Sequence, residues 1–238
     1  MTEKTAAPEW TFTDAKTLID EALQLDYFHP HADDQQVPIP SLWVSGVGNL
    51  IVIVGENASG KSFMRRIVTQ MCRERKIECI PISMEGRGGS YGGLRGMIYG
   101  DETWESTGVN SAGTVVGGLR TCRQRETPHV IFWDEPDLGL SENGAAGMGQ
   151  AIANYCQEPN PHTLAAIVVT HSKPLVQQLV RPLNGLQPHY LHLGTAPEQA
   201  PKSFQEWLDR PVVPRSPEDI REGGHQRFKL IGRILKSV

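Results

Sequence analysis

LIVIVGENASGKS, residues 50–62, joins an apolar run to a glycine-bounded loop. Leu50-Ile51-Val52-Ile53-Val54 is short and β-branched, as a buried strand is. Gly55-Glu56-Asn57-Ala58-Ser59-Gly60-Lys61-Ser62 then fits the pattern G-x-x-x-x-G-K-[ST], and a helical pattern follows. Gly55 and Gly60 let the backbone bend so that successive N–H groups face inward. With the positive end of the following helix, those groups make a seat for β- and γ-phosphate. Lys61 adds a point charge there, and the Ser62 hydroxyl is a hard oxygen ligand suited to Mg²⁺. The plainer alternative, a glycine-rich turn without a ligand, leaves the strand–loop–helix order unexplained.

Outward from this loop the chain alternates strands and helices. Upstream, residues 1–9 read as a tail, Thr13 to Leu25 as a helix capped by Thr13, and Leu42 to Ser45 as a strand. Tyr27, Phe28 and Trp43 could stack on a base, but core packing is the commoner fate of such aromatics. Downstream, a helix is predicted from Lys61 to about Arg75, with Met64, Ile67, Val68 and Met71 on one side. Lys76 to Ser83 reads as a strand weakened by Pro81. Glu85 to Gly118 is crowded with glycine and reads as loops and short helices. Arg87 and Arg95 lie in it and would either meet phosphate or stay solvated. Strands are predicted at His129–Trp133, Leu164–Thr170 and His189–Leu193, and helices at Gly144–Gln157 and Lys173–Val180. Proline-rich residues 194–217 hold a short helix, Ser203 to Asp209. A basic helix is expected over Pro217–Val238, docked on the body, on a partner or on a nucleic acid, the body being the plainer reading. Apolar strands alternating with helices argue for an α/β fold with a mainly parallel sheet covered on both faces.

Two further strand ends carry chemistry. HVIFW runs into Asp134-Glu135, and in an open parallel sheet ligands gather at the carboxyl ends of strands. Asp134 there would hold Mg²⁺ through water, facing Ser62. Glu135, one residue on, would orient or deprotonate a water near the γ-phosphate, unless it is only a solvated turn acid. LAAIVVT ends at His171, whose imidazole at the same edge would donate to the γ-phosphate or hold the attacking water.

The blocks GENASGKS, VIFWDEPDLGLS and IVVTHS, in that order, resemble the ABC-type ATPases. The likeness is to the soluble branch that includes SMC-like, RecF-like and overcoming-lysogenization-defect-type proteins. It covers about Leu42 to Leu193. The resemblance implies a P-loop NTPase with a reduced helical subdomain, since only 49 positions separate Ser62 from Ser111. It implies ATP and Mg²⁺ as cofactors, with Gly55, Glu56, Asn57, Ala58, Ser59, Gly60, Lys61, Ser62 and Phe63 around the nucleotide. Ser62 and Asp134 would serve the metal, and Lys61, Glu135 and His171 catalysis. Phe63 stands where the family has a second hydroxyl residue, so one side-chain contact to the α-phosphate is lost. In that family two copies face head to tail, and a serine–glycine signature loop completes the partner's site. Ser111 and Gly113 are the candidates, Ser111 lying 23 positions before Asp134. The family's Q-loop glutamine is missing, and Ser83, Met84 and Glu85 occupy that corner.

The expectation is therefore a soluble ATP hydrolase that dimerises around Mg-ATP and signals to another protein. The family analogy points to a nuclease or toxin effector in bacterial defence or DNA repair. A non-hydrolysing scaffold and a P-loop small-molecule kinase are the alternatives. Three segments are expected: 1–40, a helix and linker; 41–195, the ATPase core; 196–238, the proline-rich segment and basic helix. A net charge of −4 gives no sign of a general nucleic-acid binder and leaves local contacts open. No apolar run approaches membrane-spanning length, so no membrane partner and a cytoplasmic location are expected. The four cysteines have no metal spacing and read as reduced, buried residues.

Overall fold

The computed structural model describes residues 11–29, 39–83, 106–181 and 185–236. Strands β1 (Ser41–Val44), β2 (Leu50–Val54), β3 (Glu78–Ser83), β4 (His129–Asp134), β5 (Thr163–Thr170) and β6 (His189–Leu193) form one sheet in the order β1-β6-β2-β5-β4-β3. All neighbours are parallel except β1, which runs antiparallel to β6. The helices are α1 (Ala15–Leu23), α2 (Lys61–Glu74), α3 (Thr107–Arg123), α4 (Glu142–Gln157), α5 (Lys173–Leu179), α6 (Phe204–Asp209) and α7 (Pro217–Lys236). None of these helices is long and apolar enough to cross a membrane.

Every residue of β2 and β4 is buried, because successive side chains serve opposite faces and both faces are covered. Ile51, Ile53, Val130, Phe132 and Ile167 face a core closed by Leu18 and Ile19 of α1 and by Met64 and Val68 of α2. Leu50, Val52, Ile131, Trp133 and Val168 face a second core, closed by α3, α4 and α5. Fully burying one such aliphatic side chain contributes about 1.5–3 kcal/mol, so both cores hold the strands in place. Pro81 sits in β3, the last strand of the sheet order, where its missing N–H need not serve a second neighbour. Pro174 lies in the first turn of α5, where proline is tolerated.

The aromatics upstream of the loop are packing residues. Phe28 is buried, and Tyr27 meets the Phe63 ring edge-on at 5.4 Å. Trp43 stacks on His189 at 5.4 Å and donates Nε1–H to Asp20. The glycine-rich span differs from its reading where it is described. Residues 107–118 belong to the 17-residue helix α3, glycines included. Ser106 caps it by accepting from the Val109 N–H, and Val115 and Cys122 anchor it in the second core. Tertiary burial here outweighs the poor helix propensity of glycine. Arg87 and Arg95, the Met84–Glu85 corner and the reduced helical subdomain lie outside the described residues.

Helices α4 and α5 approach closely at Gly149. A Cβ there would lie 2.4 Å from the Leu175 carbonyl oxygen and 3.0 Å from Gln178 Cβ, while one at Gly147 would meet nothing within 4 Å. Gly149→Ala is therefore expected to destabilise the protein by about 1–3 kcal/mol through overpacking. Gly147→Ala is expected to stabilise it by about 0.5–1 kcal/mol through helix propensity. Urea unfolding of the two variants checks the pair, and equal effects would contradict the packing.

Candidate functional site

Strand β2 runs directly into loop 55–60, whose shape demands small residues. Gly55 has φ 157°, Ala58 62° and Gly60 105°. A Cβ at Gly55 would sit 2.5 Å from the Leu193 carbonyl oxygen and 2.7 Å from Ser59 Oγ. Gly194, which follows β6, closes the other side of the loop. It has φ 88°, and a Cβ on it would lie 2.6 Å from Ser59 Cβ. Gly60 precedes α2, and no side chain hydrogen-bonds to cap that helix start. The first N–H groups of α2 thus keep the exposed donor capacity that anions use. Ser59 is buried, and its Oγ has no hydrogen-bond partner. Such a group costs about 1–3 kcal/mol unless something satisfies it.

Lys61 opens α2 and is 7% exposed. Its Nζ donates to the Gly55 and Glu56 carbonyl oxygens, both at 2.9 Å. Burial pulls its pKa below the ordinary lysine value, while Glu135, Asp134 and Glu56 oppose that pull through space. Ser62 is exposed beside it. Glu56, Asn57 and Ala58 are exposed along the loop. Phe63 is buried, packed into the core and against Tyr27 rather than turned to the loop.

The acid strand β4 ends level with β5. Asp134 is 8% exposed, and its Oδ2 lies 3.2 Å from Nη1 of Arg65 on α2. Glu135 has φ 52°, a conformation few non-glycine residues adopt, while its N–H still bonds the Val169 carbonyl at 2.8 Å. The kink turns its carboxylate toward β5, where Oε1 lies 3.2 Å from His171 Nδ1. This contact holds the Glu135 pKa below, and the His171 pKa above, their ordinary values. Both shifts favour the ion pair. It persists between the two pKa values, fading as pH falls through the Glu135 value or rises through that of His171. His171 is half-exposed, so solvent screens the pair's contribution to stability. Asp137, in the same turn, accepts from Thr170 Oγ1 at 3.1 Å.

Strand β5 lies between β2 and β4, so loop and acids stand two strand spacings apart, about 10 Å. That gap suits a terminal phosphate with a water beyond it. Loop 55–60, Lys61, Asp134, Glu135 and His171 therefore converge on one sheet edge. One expectation needs correction. Ser111 is 1% exposed on α3, and its hydroxyl donates to the Leu138 carbonyl at 2.7 Å and the Thr107 carbonyl at 3.0 Å. It braces the acid turn from inside and is not presented to a second copy. Gly113 is exposed on the same helix, and Ser-x-Gly inside a helix does not form a loop. Asp134 also meets the Arg65 guanidinium, a partner that the sequence reading did not name.

The donor set can be tested against the groups the resemblance implies. The tight glycines, uncapped helix start, buried lysine and orphaned Ser59 hydroxyl fit a phosphate chain. Among the described residues no three His, Cys, Asp or Glu cluster to hold a metal. One carboxylate and one hydroxyl suffice for Mg²⁺ only where phosphate oxygens complete its shell. Arg65, Asp137 and Gly194 were missed in the sequence. Arg65 carries one signal, its place four residues after Lys61 on the same helix face. Gly194 carries another, as a glycine directly after an apolar strand.

No family model matches the chain, and no curated protein matches it in sequence.

Replacing Glu135 by Gln is expected to lower the His171 pKa toward the ordinary 6.5. A histidine ring titration by NMR on wild type and E135Q reads this directly. An unchanged His171 titration would dissociate the two side chains.

Proposed function

We propose that the chain binds and hydrolyses Mg-ATP at the edge formed by loop 55–60, Asp134, Glu135 and His171. The observation that carries this reading is the convergence of the buried Lys61 ammonium with the Glu135–His171 pair across one intervening strand. The loop amides, the start of α2 and Lys61 would hold phosphate oxygens and the charge that develops on them. Ser62 and Asp134 would hold the metal, which neutralises phosphate charge when bound. Glu135, kept ionised by His171, would accept a hydrogen bond and then a proton from the attacking water. His171 would fix the Glu135 rotamer and carry the compensating charge. Signalling to a partner protein, such as a nuclease or toxin effector, rests on the family resemblance alone. ATP-dependent pairing of two copies rests on the same resemblance, without Ser111 as the shared group.

The Arg65–Asp134 contact favours one second reading, a scaffold that binds nucleotide without hydrolysing it. A kinase reading leaves the Glu135–His171 pair without a task.

Calorimetric titration with ATP and phosphate release decide among these. Wild type should bind ATP and release phosphate without an acceptor. Lys61→Ala should lose binding. Glu135→Gln should keep binding while turnover falls by about 10²–10⁴-fold, the usual worth of a positioned base. Binding without release in a single turnover would select the scaffold, and no binding at all would end the proposal.

A further inference from the structure

Helix α7, Pro217–Lys236, carries an apolar row that nothing in the described chain covers. Ile220 is 41% exposed and Phe228 77% exposed. Gly224 lies between them, with nothing within 4 Å of where a Cβ would stand. Residues four apart on a helix share a face, so Ile220, Gly224 and Phe228 line up. The sequence continues that spacing with Ile231 and Leu235. The helix is expected to dock on the body, a partner or a nucleic acid. The exposure of Ile220 and Phe228 speaks against the body.

Charge along α7 says what covers the row. The first half holds Glu218, Asp219 and Glu222 against Arg221 alone, and the second half holds Arg227, Lys229, Arg233 and Lys236. Such a helix is its own electrostatic complement when turned end for end. A parallel pair would set acid on acid and base on base, which costs at every turn. An anionic membrane or nucleic acid would be repelled by the acidic half.

We propose that α7 pairs antiparallel with α7 of a second copy, each Phe228 ring seated over Gly224 of the other. A two-fold axis near residue 226 makes both contacts at once, as an isologous interface requires. The bare glycine lets the ring approach the backbone, a knob over a hole. The acidic half of each helix then lies along the basic half of its mate. This pairing needs no nucleotide and is independent of the proposed ATP site.

Light scattering on a sizing column, without nucleotide, tests it. Wild type should elute as a dimer. Phe228→Glu should weaken the dimer by at least about thirtyfold, the scale of an aromatic anchor, with an unchanged far-ultraviolet circular dichroism spectrum because the side chain is exposed in the single chain. Two charge variants test the electrostatic pairing. Glu218→Lys with Asp219→Lys and Glu222→Lys, and Lys229→Glu with Arg233→Glu and Lys236→Glu, should each be monomeric alone and form a mixed dimer together. A monomeric wild type, or an F228E protein that remains a dimer, overturns the proposal. A dimer that needs ATP and ignores Phe228 would overturn α7 pairing while leaving the ATP reading standing.

Discussion

Parallel pairing on both sides of β2 is the constraint from which the rest follows. β2 is buried between β5 and β6, and both run in its own direction. Parallel neighbours cannot be joined by a hairpin, so the chain returns each time through a helix to the amino edge. β2, β4, β5 and β6 therefore release their chains at one edge. Polar residues are absent from β2 and from the interiors of β4 and β5. They collect where the strands stop: Gly55 after β2, Asp134 and Glu135 at the end of β4, His171 after β5, Gly194 after β6. The candidate site is in this sense a product of packing, with the chemistry placed where the core ends.

The same edge holds its least comfortable residue by several independent ties. Glu135 takes a left-handed backbone conformation, which costs of order 1 kcal/mol and survives only where the surroundings over-determine it. The ties are visible around it. The Val169 carbonyl accepts its N–H, Ser111 holds the Leu138 carbonyl, and Thr170 donates to Asp137. Gly108 and Gly139 let α3 and the turn touch, since a Cβ on Gly108 would lie 2.6 Å from the Gly139 carbonyl oxygen. Ser111 thus serves the acid from behind, through the turn that aims it.

Much of this was legible in the sequence, for a physical reason. Strands buried on both faces are mostly continuous apolar runs, so β2, β4 and β5 announced themselves, and the residues ending them could be read as neighbours. What stayed hidden depends on contacts between distant segments. Nothing local says that β1 pairs antiparallel with β6, or that Gly194 presses on Ser59. The helix α3 was hidden because its glycines speak for loops, while Val115 and Cys122 are held by a core the local sequence does not display. Ser111 misled because its spacing to Asp134 suited a signature loop, and spacing carries no information about burial. Arg65 stood in view on the face of α2, but its partner lies 69 positions away.

Arg65 changes the electrostatics expected of the edge. Without it, the nearly buried Asp134 carboxylate would lose its guanidinium partner, while Glu135 would keep His171. With it, Asp134 is matched by a guanidinium and Glu135 by His171, so both acids are balanced within the protein. Lys61 donates to the neutral carbonyls of Gly55 and Glu56, while Glu135, Asp134 and Glu56 act on its charge only through space. A lysine buried on those terms is already partly desolvated, which strengthens its attraction to a phosphate relative to an exposed one. Under the proposed function, a metal held at Asp134 would share that carboxylate with the Arg65 guanidinium. The strand end that carries Asp134 also carries Glu135. Any movement that frees the first carboxylate is felt by the second through a single peptide bond.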